Sequence, residues 1–346
     1  MCRWFAYISP KEPCLLSDAL ITPPHGITKQ VSSHYLPYLT EHHLAQDLRA
    51  LDLKLRNLAL NADGGGIAVY TPSSSAFTSP SASTPILYPA VYKSVQPLNN
   101  DLNFRSLAEN TETTCLLAHV RAGSGAPVST LNCHPFVFGR WSIMHNGAVG
   151  HVDGIRRELL HGLGGDVYAA VKGGTDSEVI SALVIEDLTG GNGRGKEEWH
   201  SPRSVKEVLE AIQGAFKTII TAQRKFVVDG EQVQPSSLNV CVTDGTVLVA
   251  TRFRNSDEEQ PPSLYWSTKA GVTLNRKYPG HPDQEEHERF KGVQRDVKGE
   301  DEHGRHVIVA SEPSTFIEED WKLLSKNSAL LVGTKGELNF QELGPY

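Results

Sequence analysis

The second residue of the chain, Cys2, could act as a nucleophile. If Met1 is removed, as a small second residue usually allows, Cys2 becomes the N-terminus and carries a thiol and an α-amine. The ordinary pKa is about 7.7–8.0 for an α-amine and about 8.5 for a thiol, so the amine can act as general base for its own side chain. The alternative is a cysteine without a chemical role that stands second by chance.

Two adjacent residues, Asn146 and Gly147, could stabilise an oxyanion. They end the segment Trp141–Gly147, which reads as a strand that runs into a turn. The side-chain amide of Asn146 is a donor, and the backbone N–H of Gly147 can be approached closely because no Cβ intervenes. The alternative is a hairpin turn, which is the commonest use of an Asn-Gly pair.

Two charged residues stand where they could hold a ligand. Arg121 ends a strand-like segment beside a Gly-rich stretch, and a guanidinium there could bind a carboxylate through two parallel hydrogen bonds. Asp176 stands in the first turn of a predicted helix, where negative charge is favourable, and could hold an ammonium. The alternatives are a surface ion pair and a simple helix-dipole effect. Together with Cys2 and the Asn-Gly pair, these residues describe a site for a γ-glutamyl amide, which carries a carboxylate, an ammonium and a carbonyl.

The elements that must position these residues follow from the apolar patterning. Leucines at steps of three and four over 44–58 predict one helix, the stripe from Val205 to Ile220 predicts another, and Thr175–Glu178 reads as a capping box that opens a third. Alternating or continuous apolar segments predict the strands. These are Cys2–Ile8, Gly66–Tyr70, Cys115–Arg121, Trp141–His145, Leu238–Val242, Val247–Phe253, Leu264–Thr268, Val307–Ala310 and Ala329–Gly333.

The order of these elements favours an α+β layered fold over strict βαβ alternation. We expect a single domain over residues 2–346, with flexible insertions at four places of Ser/Pro-rich, Gly-rich or charged composition. These are residues 71–85, 190–203, 255–262 and 276–305.

Composition excludes several classes of protein. The 346 residues carry 33 Lys plus Arg against 40 Asp plus Glu, a net charge of −7, which argues against nucleic acid or an anionic membrane as partner. No apolar run approaches the roughly 20 residues that span a bilayer, and the first residues do not read as a signal peptide. We therefore expect a soluble, cytoplasmic protein. The sequence has five cysteines but no C-x-x-C pair and no H-E-x-x-H motif. We therefore expect no disulfides, no metal site and no cofactor.

Six motifs follow one another along the chain: Cys2–Phe5, Asn61–Gly66, His119–Ala122, Asn132–Phe136, His145–Gly147 and Gly174–Glu178. They resemble, in the same order, the motifs of the class II glutamine amidotransferases. The resemblance implies an N-terminal-nucleophile (Ntn) hydrolase fold, an αββα four-layer sandwich with loop insertions. Two departures stand out near the expected pocket: Gly65 stands where the family often has a bulky aromatic residue, and Val69 precedes Tyr70 where tryptophan is common.

The resemblance also implies roles for the candidate residues. Cys2 would be the nucleophile and its α-amine the base, and Asn146 with Gly147 would form the oxyanion hole. Arg121 would take the glutamyl carboxylate and Asp176 the glutamyl ammonium. No role is assigned to His119, His134 or His145.

Within the family, the chain is most similar to the amidotransferase-like subunit of the fungal glutathione-degradation complex. This similarity implies hydrolysis of glutathione to glutamate and cysteinylglycine through a γ-glutamyl thioester, with a metallopeptidase-like partner subunit. Three alternatives stay open. They are a glutaminase that supplies ammonia to a partner synthase, a γ-glutamyl amidohydrolase of ergothioneine-type synthesis, and a non-catalytic scaffold subunit.

Overall fold

A computed structural model describes residues 2–32, 60–78, 86–123, 125–190, 195–227, 233–283 and 297–346. Most of the described strands belong to two large antiparallel sheets, and helices flank them. The strands are β1 (Arg3–Ile8), β2 (Cys14–Leu15), β3 (Gly65–Thr71), β4 (Tyr88–Ser94), β5 (Glu112–Thr113), β6 (Cys115–Val120), β7 (Phe136–Phe138), β8 (Trp141–Ala148), β9 (Ser237–Thr243), β10 (Leu248–Arg252), β11 (Tyr265–Ser267), β12 (Val307–Ala310), β13 (Lys322–Leu323), β14 (Ser328–Val332) and β15 (Leu338–Glu342). The helices are α1 (Leu16–Leu20), α2 (Ser73–Thr78), α3 (Leu102–Glu109), α4 (Val152–His161), α5 (Gly165–Ala170), α6 (Asp176–Thr189), α7 (Val205–Phe226) and α8 (Ala270–Thr273).

The first sheet has the strand order β13-β11-β12-β1-β6-β3-β4. Strand β1 is therefore central, and its register pairs Arg3 with Val120 of β6. This pairing sets the residue before β1 beside the residues that follow β6. The second sheet has the order β15-β14-β10-β9-β8-β7, and β8 pairs with β9 from Ser142 to Ala148.

The two sheets pack face to face, with helices on both outer faces. Alternation along β1 shows how: Trp4 and Ala6 contact the second sheet, whereas Phe5 and Tyr7 pack under α1 and α3. On the other side, α4, α6 and α7 cover the second sheet with the largest apolar cluster. The result is the expected four-layer αββα sandwich, and it explains why the central strands read as continuous apolar runs.

Helix α7 confirms its predicted apolar stripe, and Ser204 with Glu207 forms a capping box at its start. The capping box predicted for α6 is only half right. Thr175 Oγ1 accepts from the N–H of Glu178 at 3.1 Å, but the Glu178 carboxylate accepts instead from the N–H groups of Lys172 and Gly173 at 2.9 and 2.6 Å. That carboxylate therefore anchors the loop before α6 rather than the helix N-terminus itself.

Nine predicted strands are present, with ends shifted by a few residues at most. Two longer strands, β4 and β15, were not predicted, and both lie at sheet edges and contain no buried residue. The predicted leucine-rich helix over 44–58 falls outside the described residues. Among the described residues, no helix combines the length and apolarity needed to cross a bilayer.

Three of the four predicted insertions are packed on the sandwich in their described parts. Trp199 is buried against Phe138, with ring centroids 5.5 Å apart. The carbonyl oxygens of Pro261 and Pro262 accept from the buried Arg252 guanidinium. Arg276 forms an ion pair with the buried Asp18. The assignment of one domain over residues 2–346 stays a prediction.

Candidate active site

A cavity of about 360 Å³ opens where the ends of the two sheets meet. One side, which we call the first wall, comes from the first sheet and consists of Cys2, Arg121, Ala122 and Gly123. The opposite side, the second wall, consists of residues on or beside the second sheet. The second wall comprises His145, Gly147, Ala148, Thr175, Asp176, Ser177, Ser237 and Arg254, and His134 completes the lining.

Cys2 reaches the cavity because it precedes β1 in the centre of the first sheet. Its Sγ lies 3.4 Å from the backbone nitrogen of Ala122 and 3.5 Å from the carbonyl oxygen of the same residue. Burial raises the pKa of the thiol, the Ala122 N–H partly offsets this, and the negative charge of Asp176 adds to the rise. At neutral pH the thiol therefore stays protonated until a base removes the proton.

Arg121 follows β6 directly and is 3% exposed. Its guanidinium donates to the carbonyl oxygens of Ala126 at 3.0 Å and Pro127 at 3.5 Å. These two carbonyls fix the plane of the guanidinium at the cavity wall. The neighbouring Gly123 N–H donates to Asp63 Oδ2 at 2.6 Å, which holds the loop after β6 in place.

Asp176 is the first residue of α6 and joins this helix to the end of β8. Its Oδ2 accepts from the N–H of Val149 at 2.9 Å, and its Oδ1 accepts from the N–H of Ser177 at 2.8 Å. The helix N-terminus also favours the negative charge. The carboxylate is thus fixed at the cavity, where it could receive an ammonium.

Gly147 lines the cavity at the end of β8, and only glycine fits there. Its φ is 153°, and a Cβ would lie 1.9 Å from the carbonyl oxygen of Ser237. The Asn-Gly pair belongs to β8 itself, so the alternative of a hairpin turn is wrong. Asn146 is not among the cavity-lining residues: its Nδ2 donates to Ser311 Oγ at 3.4 Å. Only Gly147 of the expected donor pair therefore faces the cavity directly.

The side-chain amide of Asn132 links the segment that contacts Arg121 to the segment that precedes Asp176. Asn132 is 3% exposed, and its Nδ2 donates at 2.8 Å to the Pro127 carbonyl that Arg121 also contacts. Its Oδ1 accepts from the N–H of Gly174 at 2.8 Å, two residues before Asp176. Asn132 belongs to a quoted motif, but the sequence did not indicate this bridging position.

The second wall contains a histidine with a defined tautomer. His145 Nε2 lies 3.0 Å from the Ser237 carbonyl oxygen, and its Nδ1 lies 2.9 Å from Ser177 Oγ. Burial lowers the pKa of His145, so the ring is neutral. Because a carbonyl can only accept, Nε2 carries the proton and Nδ1 accepts from the Ser177 hydroxyl. His145 thereby ties β8 to β9 and α6.

Two stacked histidines, His119 and His134, lie beside the first wall. The rings of His119 and His134 stack with centroids 3.9 Å apart, and among the described residues their four ring nitrogens have no hydrogen-bond partner of normal geometry. Burial lowers the pKa of His119 to about 3 and that of His134 well below its ordinary value. Both rings are therefore neutral at physiological pH.

Arg254 is a cavity residue that the sequence analysis did not single out. It follows β10, and its guanidinium contacts Ser237 Oγ and the carboxylate of Glu259. Like Arg121, it is an arginine at the end of a predicted strand, and this signal could have found it. Conversely, Gly65 and Val69 are not cavity-lining residues, since Gly65 packs on Leu98 and Val69 belongs to the layer beneath α1 and α3.

The described residues contain no group of three or more His, Cys, Asp or Glu side chains placed to hold a metal ion. The residues that line the cavity carry a thiol, two guanidinium groups, a carboxylate, two imidazole rings and three hydroxyl groups, besides backbone donors and acceptors.

Comparison with curated proteins finds a relative that spans nearly the whole chain. The probable glutamine amidotransferase DUG3 of Saccharomyces cerevisiae is 30% identical over 335 residues, 96% of this chain and 82% of the relative. A gamma-glutamyl-hercynylcysteine sulfoxide hydrolase of Mycolicibacterium smegmatis is 28% identical over 54% of this chain and 63% of its own length. A scan against models of protein families finds no match.

A solved structure supports the fold independently. A glutamine aminotransferase class-II domain protein from Silicibacter pomeroyi aligns over 100% of both chains with a TM-score of 0.58 and 21% sequence identity. The near full-length match to the yeast relative establishes the family: the chain belongs to the class II glutamine amidotransferases. It is accordingly an enzyme of the class II glutamine amidotransferase type.

Proposed function

We propose that the chain is an N-terminal-cysteine amidohydrolase that cleaves γ-glutamyl amides and prefers glutathione. The single observation that carries the proposal is the cavity at which Cys2, Arg121, Gly147 and Asp176 meet. These residues are far apart in the sequence, and each supplies a different function that the reaction requires.

The reaction begins when the free α-amine of Cys2 takes the proton of its thiol, once Met1 has been removed. The thiolate attacks the γ-carbonyl carbon, and a C–S bond forms while the carbonyl oxygen becomes an oxyanion. Gly147 lines the cavity, and its N–H stabilises that oxyanion. Asn146 is the second donor of the proposal, once its Nδ2 exchanges Ser311 Oγ for the oxyanion. The C–N bond then breaks, and the protonated α-amine returns its proton to the leaving amine.

Water completes the cycle by attacking the γ-glutamyl thioester. The α-amine of Cys2 accepts a proton from the water, the C–S bond breaks, and the thiolate recovers a proton as glutamate departs. Throughout, Arg121 on the first wall holds the α-carboxylate and Asp176 on the second wall holds the α-ammonium. Because these groups do not react, their contacts contribute to binding in the ground state and the transition state alike.

Labelling with a γ-glutamyl diazoketone tests the mechanism, with intact and peptide mass as the readout. We expect one adduct on Cys2 in a chain that lacks Met1, and no adduct in the Cys2→Ala variant. The Cys133→Ala variant is the matched control, because Cys133 is fully buried and donates to backbone carbonyls. Modification of another cysteine, or no adduct on a chain without Met1, would contradict the proposal. A retained Met1 would favour a scaffold subunit.

A second candidate function is a glutaminase, because the yeast relative is named a probable glutamine amidotransferase. The M. smegmatis relative is named a hydrolase of a γ-glutamyl-cysteine derivative, which favours a substrate of glutathione type. Comparing kcat/KM for glutathione and glutamine separates the two functions. A higher value for glutamine would support the glutaminase.

A metallopeptidase-like partner and a cytoplasmic location stay predictions, and co-purification and imaging of the native protein would test them.

A further inference from the structure

The active-site cavity contains a second guanidinium that the reaction described above does not use. Arg254 lines the cavity from the second wall, whereas Arg121 lines it from the first. The backbone of Arg254 is fixed by two contacts: it forms an isolated antiparallel β-bridge with Ser237 of β9, and its N–H donates to Asn327 Oδ1 at 2.9 Å. The two arginines therefore approach a bound ligand from opposite sides.

One partner of the Arg254 guanidinium, the carboxylate of Glu259, lies where a ligand could replace it. Its guanidinium pairs with Glu259, whose side chain is 53% exposed, while the Arg254 side chain is 20% exposed. Ion pairs at such a rim contribute little to stability, because water competes for both charges. A ligand carboxylate that arrives in the less solvated cavity can therefore replace or share Glu259 at the guanidinium fork.

The charges of the cavity match a particular class of substrate. The lining contributes two guanidinium groups and one carboxylate, Asp176. Glutamine has one carboxylate and one ammonium, so it uses only one of the arginines. A γ-glutamyl peptide with a free C-terminus has two carboxylates and one ammonium, which is the complementary set.

We propose that Arg254 binds the terminal carboxylate of the leaving group, so the enzyme prefers γ-glutamyl peptides with a free C-terminus. This inference rests on the proposed function and adds a subsite to the same cavity. Arg121 recognises the glutamyl end, and Arg254 recognises the opposite end of the peptide. The peptide is thereby distinguished from free glutamine, because only the peptide has a second carboxylate for Arg254.

The test measures kcat/KM of the full chain, with Met1 removed, on glutathione, on the same peptide with a C-terminal amide, and on glutamine. The amide differs from glutathione only in the charge that Arg254 would bind. We expect the wild type to prefer the acid by roughly 10- to 100-fold, the range for a charged hydrogen-bonded pair. The Arg254→Gln variant should lower this ratio to near one, and Arg254→Lys should give an intermediate ratio, since it keeps the charge and loses the fork.

The Glu259→Gln variant is the matched control, because it breaks the same ion pair and keeps the guanidinium. Its acid-to-amide ratio should stay at the wild-type value or rise. A wild-type ratio near one, or an equal loss on both peptides in Arg254→Gln, would overturn the inference and leave the proposed function intact. Failure of the wild type to hydrolyse any of the three compounds would instead overturn the proposed function.

Discussion

The two walls of the cavity are built in different ways. On the first wall, the hydrogen bonds of the Cys2 thiol to the described part of the chain are with the backbone of Ala122. On the second wall, Asp176 is fixed by two N–H groups, and His145 joins three elements through Ser177 and Ser237. The first wall therefore holds Cys2 through few contacts, whereas hydrogen bonds between several elements fix the side chains of the second wall. Substitutions on the first wall should therefore lower activity with little loss of stability. Substitutions on the second wall should lower both activity and stability.

The largest expected effect is on the first wall. Replacing Cys2 with alanine should lower kcat by at least about 1000-fold, because no other group replaces the nucleophile. The melting temperature should stay close to that of the wild type, since the thiol is only partly buried and makes weak contacts. Steady-state kinetics and thermal unfolding measure the two quantities. Substantial activity in Cys2→Ala would refute the covalent mechanism.

Gly147→Ala tests the second wall. The added Cβ would lie 1.9 Å from the Ser237 carbonyl, so β8 and β9 must separate. We expect a loss of about 2–4 kcal/mol in the free energy of unfolding, together with a fall in kcat of at least about 100-fold. Gly165→Ala is the control, because a Cβ at Gly165 meets no atom within 4 Å. Equal stability of the two variants in urea titration would show that the comparison of the walls is wrong.

Arg121→Met should mainly weaken binding. The guanidinium contacts a non-reacting group of the substrate in the proposed mechanism, so KM should rise about 10- to 100-fold while kcat changes little. Arg121→Lys should recover part of the affinity, because lysine keeps the charge without the bidentate geometry. Initial rates over a range of substrate concentrations separate KM from kcat. A fall in kcat without a rise in KM would contradict the role of Arg121 in substrate binding.

The histidines allow a direct comparison of the two walls. Substituting phenylalanine for His145 removes hydrogen bonds to Ser177 and Ser237 and should cost about 2–3 kcal/mol. The same change at His119, whose ring nitrogens lack partners of normal geometry, should cost no more than about 1 kcal/mol. Chemical denaturation at pH 8, where both rings are neutral, provides the measurement. A larger loss at His119 would mean that the first wall is the more tightly held.

The last expected effect is the dependence of stability on pH. Burial lowers the pKa of His119 from 6.5 to about 3, and that of His25 and His306 to about 4. Below pH 6.5 the unfolded chain therefore binds protons that the folded protein does not, and stability falls as the pH falls. Each histidine contributes about 1.4 kcal/mol per pH unit between 6.5 and its folded pKa. His119→Phe should reduce this slope, and an unchanged slope in denaturation from pH 8 to 5 would contradict the assignment.

The sequence predicted the central strands well because both of their faces are buried. All six residues of β1 and of β6 are buried, which leaves a continuous apolar signal. The edge strands β4 and β15 carry no such signal, since solvent covers much of their surface and Pro89 stands within β4. Burial, rather than strand propensity, therefore decided which strands could be found.

The site was predictable where a motif or a strand end marked it, as at Cys2, Arg121, Gly147 and Asp176. The remaining residues depend on pairings between distant segments. Ser237 enters the cavity through its register with Ala148, and Arg254 follows through its contact with Ser237. The direction of the Asn146 side chain depends likewise on Ser311, far along the chain. No local pattern contains these contacts.

The amide of Asn132 has a consequence for selectivity among amino acids. Its two hydrogen bonds, to the Pro127 carbonyl beside Arg121 and to the Gly174 N–H before Asp176, set the separation of two opposite charges. In the proposed mode of binding, these two charges receive a carboxylate and an ammonium on the same carbon atom. We therefore expect the site to discriminate by the spacing of charges within the ligand, and a β-amino acid isomer, whose charges stand one carbon further apart, should bind less tightly.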